Sequence, residues 1–240
     1  NTITTINIIM RATDFINIYC EHEVSVDEGV NDPYIFKAVF LAGGPGSGKS
    51  FINKTLFKQF GGMKTINSDN IFEPLMKKAN LSLKMPDDET EPRDAIRSRA
   101  KEITNKQDEL AQDGRLGLII DGTGAKFDQI SRINSRLLEL GYETAMVFVN
   151  TDLETALARN AKRDRTVPPE IAKDSWSSVQ KNIGKFQQVF GNDMFVIDNS
   201  DDSDVMQRIQ EVEKTMRKFL ASPPSKKQAL DWIQSQRPQQ

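Results

Sequence analysis

The chain has 240 residues, 38% of them apolar and 28% charged, with a formal net charge of −2. That length allows one sizeable core with appendages. The charge balance excludes the overall basic excess of a general nucleic-acid binder, though not a local basic groove, and there is no run of about 18 apolar residues to span a membrane. Its one cysteine, Cys20, excludes an internal disulfide and suits a reducing, cytoplasmic compartment. Its one histidine, His22, excludes a multi-histidine zinc site and leaves little room for Ser-His-Asp chemistry.

Residues 1–34 lack the basic start and long apolar stretch of a secretion signal. They are expected to form an N-terminal extension packed on the domain, with its boundary at the turn signal Asn31-Asp-Pro33. Within it, His22 is expected to be structural or solvated and Cys20 a small buried hydrophobe. Lys37-Ala-Val-Phe-Leu-Ala42 is apolar, β-branched and aromatic, which predicts a buried strand. Gly43-Gly-Pro-Gly-Ser-Gly-Lys-Ser50 follows and fits G-x-x-x-x-G-K-[ST]. Phe51–Phe60 then carries apolar residues at helical spacing, so the loop joins a strand to a helix.

Each residue type in that loop has a reason. Gly43, Gly44, Gly46 and Gly48, with Pro45 and Ser47, let main-chain N–H groups close around a phosphate at the N-terminus of a helix. Lys49 would neutralise the β and γ phosphates of a nucleotide, and the Ser50 hydroxyl would ligate Mg²⁺. The alternative is a glycine turn followed by a chance Lys-Ser pair.

After a Gly61-Gly62 break, Met63–Asn67 predicts a second strand that ends at Ser68-Asp69-Asn70. Residues 80–94, with Asp87, Asp88, Glu89 and Glu91, predict an acidic loop, and residues 93–112 a helix. Leu116–Asp121 predicts a third strand ending in a carboxylate, and Gly122-Thr-Gly124 a turn. A helix through Ile130, Ile133 and Leu137 ends at Gly141. Ala145–Val149 predicts a fourth strand, and Thr151 with Glu154 a capping box for the next helix. That helix runs into Arg159-Asn-Ala-Lys-Arg-Asp-Arg165 and a Val167-Pro-Pro169 break. A helix over about 169–188, a fifth strand at Met194–Ile197 and a helix through Ile209, Val212, Met216 and Leu220 complete the domain. Beyond Pro223-Pro224, residues 225–236 predict a short amphipathic helix carrying Trp232.

Strands alternating with helices predict an α/β three-layer fold with a mainly parallel five-stranded sheet. Right-handed crossovers put all strand C-termini on one edge, where ligands bind. The phosphate loop, Asp69, Asp121–Thr123 and the loop after Val149 would then share one crevice. In that crevice Asp121 is a candidate Mg²⁺ ligand, with helix capping as the alternative. Asp69 is a candidate general base for an attacking hydroxyl, again with capping as the alternative. Arg159, Arg163 and Arg165 could place cations over a transferring phosphoryl group. Their alternative is a solvated face favoured by the helix dipole. Trp176 and Trp232 are expected to pack rather than to stack on bases.

The chain resembles the zeta-toxin-like kinases and their relative, the kinase domain of 5′-polynucleotide kinase, over roughly residues 36–200. The pieces that carry this are the phosphate loop, Asn67-Ser-Asp69, Ile120-Asp-Gly-Thr-Gly124, Leu140-Gly-Tyr-Glu-Thr144 and Arg165-Thr-Val-Pro168. The resemblance implies a P-loop NTPase of nucleoside-kinase-like fold spanning 35–222, followed by a tail at 223–240. It implies ATP and Mg²⁺, Asp69 as base, Thr123 at the acceptor, and arginines among 159, 163 and 165 over the phosphates. Two departures stand out. Polynucleotide kinase has an arginine where this chain has Phe72. The zeta branch has a substrate-holding glutamate upstream of the third strand, where this chain has Ile103-Thr-Asn-Lys106. The expectation is therefore an ATP-dependent kinase acting on a hydroxyl of a small or nucleotide-containing substrate. One alternative is a nucleotide or polynucleotide 5′-hydroxyl kinase acting on a nucleic-acid end. The other is an ATP-binding interaction module without transfer activity. A protein partner of antitoxin type would accompany the first, and none of the three calls for a membrane.

Overall fold

The computed structural model describes residues 29–163, 165–201 and 204–236. Cys20, His22 and most of the expected N-terminal extension lie outside these residues. Asp32 closes the anticipated turn, its carboxylate accepting the Tyr34 N–H at 2.7 Å.

Among the described residues five strands form one sheet: β1 (Lys37–Ala42), β2 (Lys64–Ile66), β3 (Leu118–Asp121), β4 (Glu143–Asn150) and β5 (Met194–Asp198). Their order is β2-β3-β1-β4-β5, and every pairing is parallel. The helices are α1 (Lys49–Phe57), α2 (Asp69–Lys78), α3 (Thr90–Asp113), α4 (Phe127–Glu139), α5 (Leu153–Ala161), α6 (Pro169–Phe190), α7 (Val205–Ala221) and α8 (Lys227–Gln236). The expected α/β architecture is therefore present, and among the described residues the sheet has no antiparallel member.

Period-two alternation in the central strands sorts the core into two layers. Val39 and Leu41 of β1 join Val147 and Val149 of β4 beneath Ile52 and Leu56 of α1 and Ile209 and Met216 of α7. Ala38, Phe40 and Ala42 face the other way, with Phe148, against Leu137 of α4 and Phe186 of α6. Both faces are covered, so the strands read as continuous apolar runs. Full burial of a side chain such as Phe40 or Phe148 contributes about 1.5–3 kcal/mol.

A third cluster stands apart from these layers. Ile71, Phe72, Leu75 and Met76 of α2 pack on Ile96, Ala100 and Ile103 of α3. The acidic stretch before α3 is shorter than expected. It forms a 3-10 turn at Asp87–Glu89 and runs straight into helix at Thr90. Glu89 fastens it by accepting the Ser82 N–H at 2.7 Å.

The capping box expected at Thr151 and Glu154 is not formed. Asp152 caps α5 by accepting the Thr155 N–H at 2.8 Å, because it, and not Thr151, directly precedes the first helical residue, Leu153. Thr151 instead serves the phosphate loop. The two tryptophans pack as expected: Trp232 of α8 lies edge-on against Phe36, and Trp176 of α6 backs Gly44.

Candidate active site

Register brings the site together. Leu41 of β1 lies beside Asp121 of β3. The two strand ends are stitched by Gly122 N–H donating to Leu41 O and Gly43 N–H donating to Thr123 O, both at 3.0 Å. The phosphate loop and the turn after β3 are thereby locked side by side.

Within the loop, Gly46 and Gly48 have φ of +77° and +83°. A Cβ at 46 would lie 1.9 Å from the Ala156 carbonyl oxygen, and one at 48 would lie 2.1 Å from Asn199 Nδ2. Both positions therefore require glycine on two counts, backbone conformation and space. The Ser47 carbonyl is held from the ends of two further strands. Asn199 Nδ2, after β5, donates to it at 2.7 Å, and Thr151 Oγ1, after β4, at 3.1 Å. Trp176 Nε1 donates to Thr151 O at 2.7 Å and steadies that support.

Lys49 opens α1 and pairs with Asp121 Oδ1. Asn67 Nδ2, at the end of β2, donates to Asp121 Oδ2 at 2.6 Å, while Asn67 Oδ1 accepts the Asp69 N–H at 2.8 Å. Asn67 thus couples the ends of β2 and β3. Asp121 caps no helix, since α4 begins only at Phe127.

Asp69 is the first residue of α2, and its carboxylate is gripped by two guanidinium groups rather than by amides of its own helix. Arg97 Nη1 donates to Oδ1 at 2.8 Å, and Arg165 Nη1 pairs with Oδ2 at 2.8 Å. Arg165 also donates to Glu73 Oε1 at 3.1 Å, one turn further along α2. Burial pushes the Asp69 pKa up, but Arg165 and Arg97 outweigh it and hold the carboxyl below the ordinary range. Burial lowers the Arg165 pKa, and Asp69 and Glu73 more than restore it, so the net shift is upward.

The three predicted arginines separate in role. Arg159 Nη1 donates to Asn199 O at 2.6 Å. Arg163 is exposed, and Arg165 reaches across to α2. All three line the cleft. Buried Asn160 shapes the segment between α5 and α6. Its Nδ2 donates to Val167 O at 2.7 Å, and its Oδ1 accepts the Val167 N–H at 3.2 Å. Thr123 also lines the cleft. Its turn is held by Asn182 Nδ2, which donates to the Gly124 and Ala125 carbonyls at 3.0 Å.

These groups surround one cleft of about 800 Å³, running from the phosphate loop along α1 to Gly61–Met63. Glu73, Arg97, Asn160 and Asn199 were not expected at the site from the sequence, Asn67 stood there only as part of a motif, and Thr151 only as a helix cap. Glu73 had a signal in its four-residue spacing from Asp69, and Asn199 in its place after a strand at the ligand edge. Arg97 had none.

Mg²⁺ takes hard oxygen ligands, usually one or two from protein and the rest from water and phosphate. The exposed Ser50 hydroxyl and the Asp121 carboxylate line the same cleft and fit that donor set. Among the described residues no cluster of three or more His, Cys, Asp or Glu could form an all-protein metal cage. The fit is therefore to a metal carried in with phosphates.

Fold and loop together define a P-loop kinase-like α/β domain. Residues 39–185 match the AAA domain family over more than half of the chain, and the chain belongs to that family. Among solved structures, it is similar to one from the PezAT chromosomal toxin–antitoxin system of Streptococcus pneumoniae. The TM-score is 0.53 at 17% identity, covering 86% of this chain and 94% of that one. It is also similar to the AvrRxo1-ORF1:-ORF2 complex with ATP, with a TM-score of 0.57 at 13% identity, over 80% of this chain and 65% of that one. A further match is to the Pnkp1/Rnl/Hen1 RNA repair complex, with a TM-score of 0.49 at 17% identity, over 64% of this chain and 47% of that one. No curated protein matches the chain by sequence. At these identities the likeness is one of fold. Among the described residues, no helix is long and apolar enough to cross a membrane.

Proposed function

We propose that the chain is an ATP-dependent kinase of zeta-toxin-like type that transfers the γ-phosphate to a hydroxyl of a nucleotide-containing or other small acceptor. The observation that carries this reading is that the phosphate loop, Asp69, Thr123 and three arginines line one cleft. In this reading Gly43–Ser50 cradles the ATP phosphates, and Lys49 leaves Asp121 to neutralise the β and γ groups. Ser50 and Asp121 would hold Mg²⁺ brought in with the nucleotide, and the metal would supply neutralisation of phosphate charge. Thr123 positions the acceptor. Its hydroxyl gives its proton to Asp69, its oxygen bonds to the γ-phosphorus, and the bond from phosphorus to the bridging oxygen breaks to release ADP. Arg159, Arg163 and Arg165 offset charge on the equatorial oxygens.

A second reading, a polynucleotide 5′-hydroxyl kinase, is favoured by one feature. The cleft continues past the reacting end along α1, where exposed Lys54 and Lys58 line it. The likeness in fold to a structure from the PezAT toxin–antitoxin system supports the first reading, in which a protein partner of antitoxin type would accompany the kinase.

Transfer from labelled ATP to UDP-sugars, nucleoside monophosphates and 5′-hydroxyl oligonucleotides, compared side by side, separates the readings. Label on UDP-sugars supports the zeta-type reading, and label on nucleoside monophosphates or oligonucleotides alone replaces it with a nucleotide or polynucleotide kinase. Asp69→Asn should keep ATP binding and lower kcat by about 10² to 10⁴, the contribution of a positioned base. Full transfer by a folded Asp69→Asn protein would remove Asp69 from the mechanism. Lys49→Ala should weaken ATP binding or turnover by about 2 kcal/mol, the cost of losing a charged partner. Unchanged titration and kinetics would reject the phosphate-loop reading.

A further inference from the structure

Asp69 is held asymmetrically. Arg165 shares one nitrogen between Asp69 Oδ2 and Glu73 Oε1, and it comes from the segment joining α5 to α6, on the nucleotide side of the cleft. Arg97 is held differently, although both guanidinium groups lie over the Phe72 ring, that of Arg165 at 5.6 Å from its centroid. Arg97 comes from the N-terminal third of α3, a 24-residue helix, and meets Oδ1 of the same carboxylate. Its guanidinium carbon lies 3.4 Å from the centroid of the Phe72 ring, which is itself 0% exposed. A planar guanidinium on a buried ring cannot tilt or swing without giving up the stack. The cleft is lined by Asp69 and Arg165 but not by Arg97.

We propose that Arg97 is a positioning residue for the transfer step, pinning Asp69 Oδ1 so that Oδ2 points into the cleft toward the acceptor hydroxyl. This rests on the kinase reading and goes beyond it. An arriving γ-phosphate competes with Asp69 and Glu73 for Arg165. Once Arg165 turns to the phosphate, Oδ2 is released, and Arg97 is the cation that stays on Asp69. The carboxylate then keeps its rotamer at the moment it must take a proton. The charged groups facing Asp69 are Arg97 from α3, Arg165 from the α5–α6 segment and Glu73 from its own helix. Lys49, Arg159, Arg163 and Asp121 lie elsewhere along the cleft.

The test uses the full chain with Mg²⁺ and a non-hydrolysable ATP analogue. The Asp69 carboxyl carbon is followed by ¹³C NMR through a pH titration and assigned with Asp69→Asn. Arg97→Leu should move the Asp69 midpoint upward, because the cation that stays on the carboxylate is gone. Arg97→Lys should keep the midpoint low, since charge is retained. It should still lower ATP turnover, with water as the acceptor, because an ammonium cannot hold the plane on Phe72. In Arg97→Leu that turnover should fall by about 10²-fold, the scale of a misplaced catalytic group, with KM for ATP unchanged. A folded Arg97→Leu protein with an unmoved Asp69 midpoint overturns the proposal. Were that variant to unfold, Arg97→Lys decides: unchanged turnover overturns the proposal, and lowered turnover at unchanged KM supports it. Failure of the kinase reading looks different, because the wild-type chain would then label no acceptor from ATP, whatever Arg97 does.

Discussion

At the scale of single residues, the phosphate loop depends on Gly46 and Gly48 far more than on Gly44. At Gly46 a side chain meets the Ala156 backbone, which belongs to α5 and cannot move alone. At Gly44, φ is not in the left-handed region, and the nearest atom to an added Cβ is Trp176 Cα at 3.6 Å, an ordinary contact. Gly46→Ala should therefore abolish nucleotide binding and lower Tm, while Gly44→Ala should leave both nearly unchanged. Differential scanning fluorimetry with and without Mg-ATP checks this, and equal effects would contradict the loop geometry. The loop could be read from the sequence because its chemistry is contiguous. Asp69 and Asp121 were legible for another reason: each follows a strand, and parallel strands deliver their ends to one edge. Arg97 was not. It lies 28 residues from Asp69, on a helix rich in charge, and nothing local marks 97 over Arg93 or Arg99. Thr151 was misjudged because Thr and Asp stood in adjacent positions, both competent caps. Only the approach of the Ser47 carbonyl from β1's side decides which one is used.

At the scale of elements, the strands and helices were readable from apolar runs and helical spacing, but the anchoring of the last helix was not. Lys37 starts β1 at the edge opposite the site and is 1% exposed. Its ammonium pairs with Glu143 at the start of β4 and donates to Ser222 Oγ at 2.7 Å, just after α7. Glu143 Oε1 in turn accepts from the N–H and hydroxyl of Ser225, at 3.1 and 2.8 Å. Lys226 donates to Tyr142 O at 2.6 Å, and α8 follows with Ala229 buried over Gly141. A lysine in an apolar run reads as a strand boundary, so only the fold reveals this clasp. Glu143→Ala leaves Lys37 buried without its carboxylate and should cost about 3–5 kcal/mol, the range for breaking one side of a buried pair. The pH dependence has a definite sign. Burial raises the Glu143 pKa, but Lys37 and Ser225 outweigh it and hold the folded value below the unfolded one. The stability from this group is therefore fully present above the unfolded pKa and is lost as pH falls through the depressed folded value. Urea melts of the wild type should weaken across that acidic window, and Glu143→Gln should flatten the weakening. An unchanged acid dependence in Glu143→Gln would show that the clasp does not set it.

At the scale of the whole molecule, the sheet with its two covering layers is one unit, and the α2–α3 pair is a second, smaller one. The pair has its own core and joins the sheet through β2, a three-residue strand at the edge that pairs only with β3. Fewer buried contacts tie it down, so it should open at lower free energy than β1 or β4. Arg165 bridges it to the opposite wall of the cleft by holding Asp69 and Glu73 of α2 from the α5–α6 segment. That bridge joins the α2–α3 pair to the segment between α5 and α6. Hydrogen exchange followed by mass spectrometry can read both claims in the nucleotide-free protein. Peptides from 69–78 and 90–103 should exchange before those from 37–42 and 143–150. Arg165→Ala should speed exchange in 69–78 and leave 143–150 unchanged, because it cuts the bridge without touching the sheet. A non-hydrolysable ATP analogue should also speed exchange in 69–78 of the wild type, since its γ-phosphate draws Arg165 off α2, and it should have no such effect in Arg165→Ala. Uniform exchange across both units, or an equal response of 69–78 to the analogue in the two proteins, would mean that Arg165 does not couple the α2–α3 pair to the nucleotide.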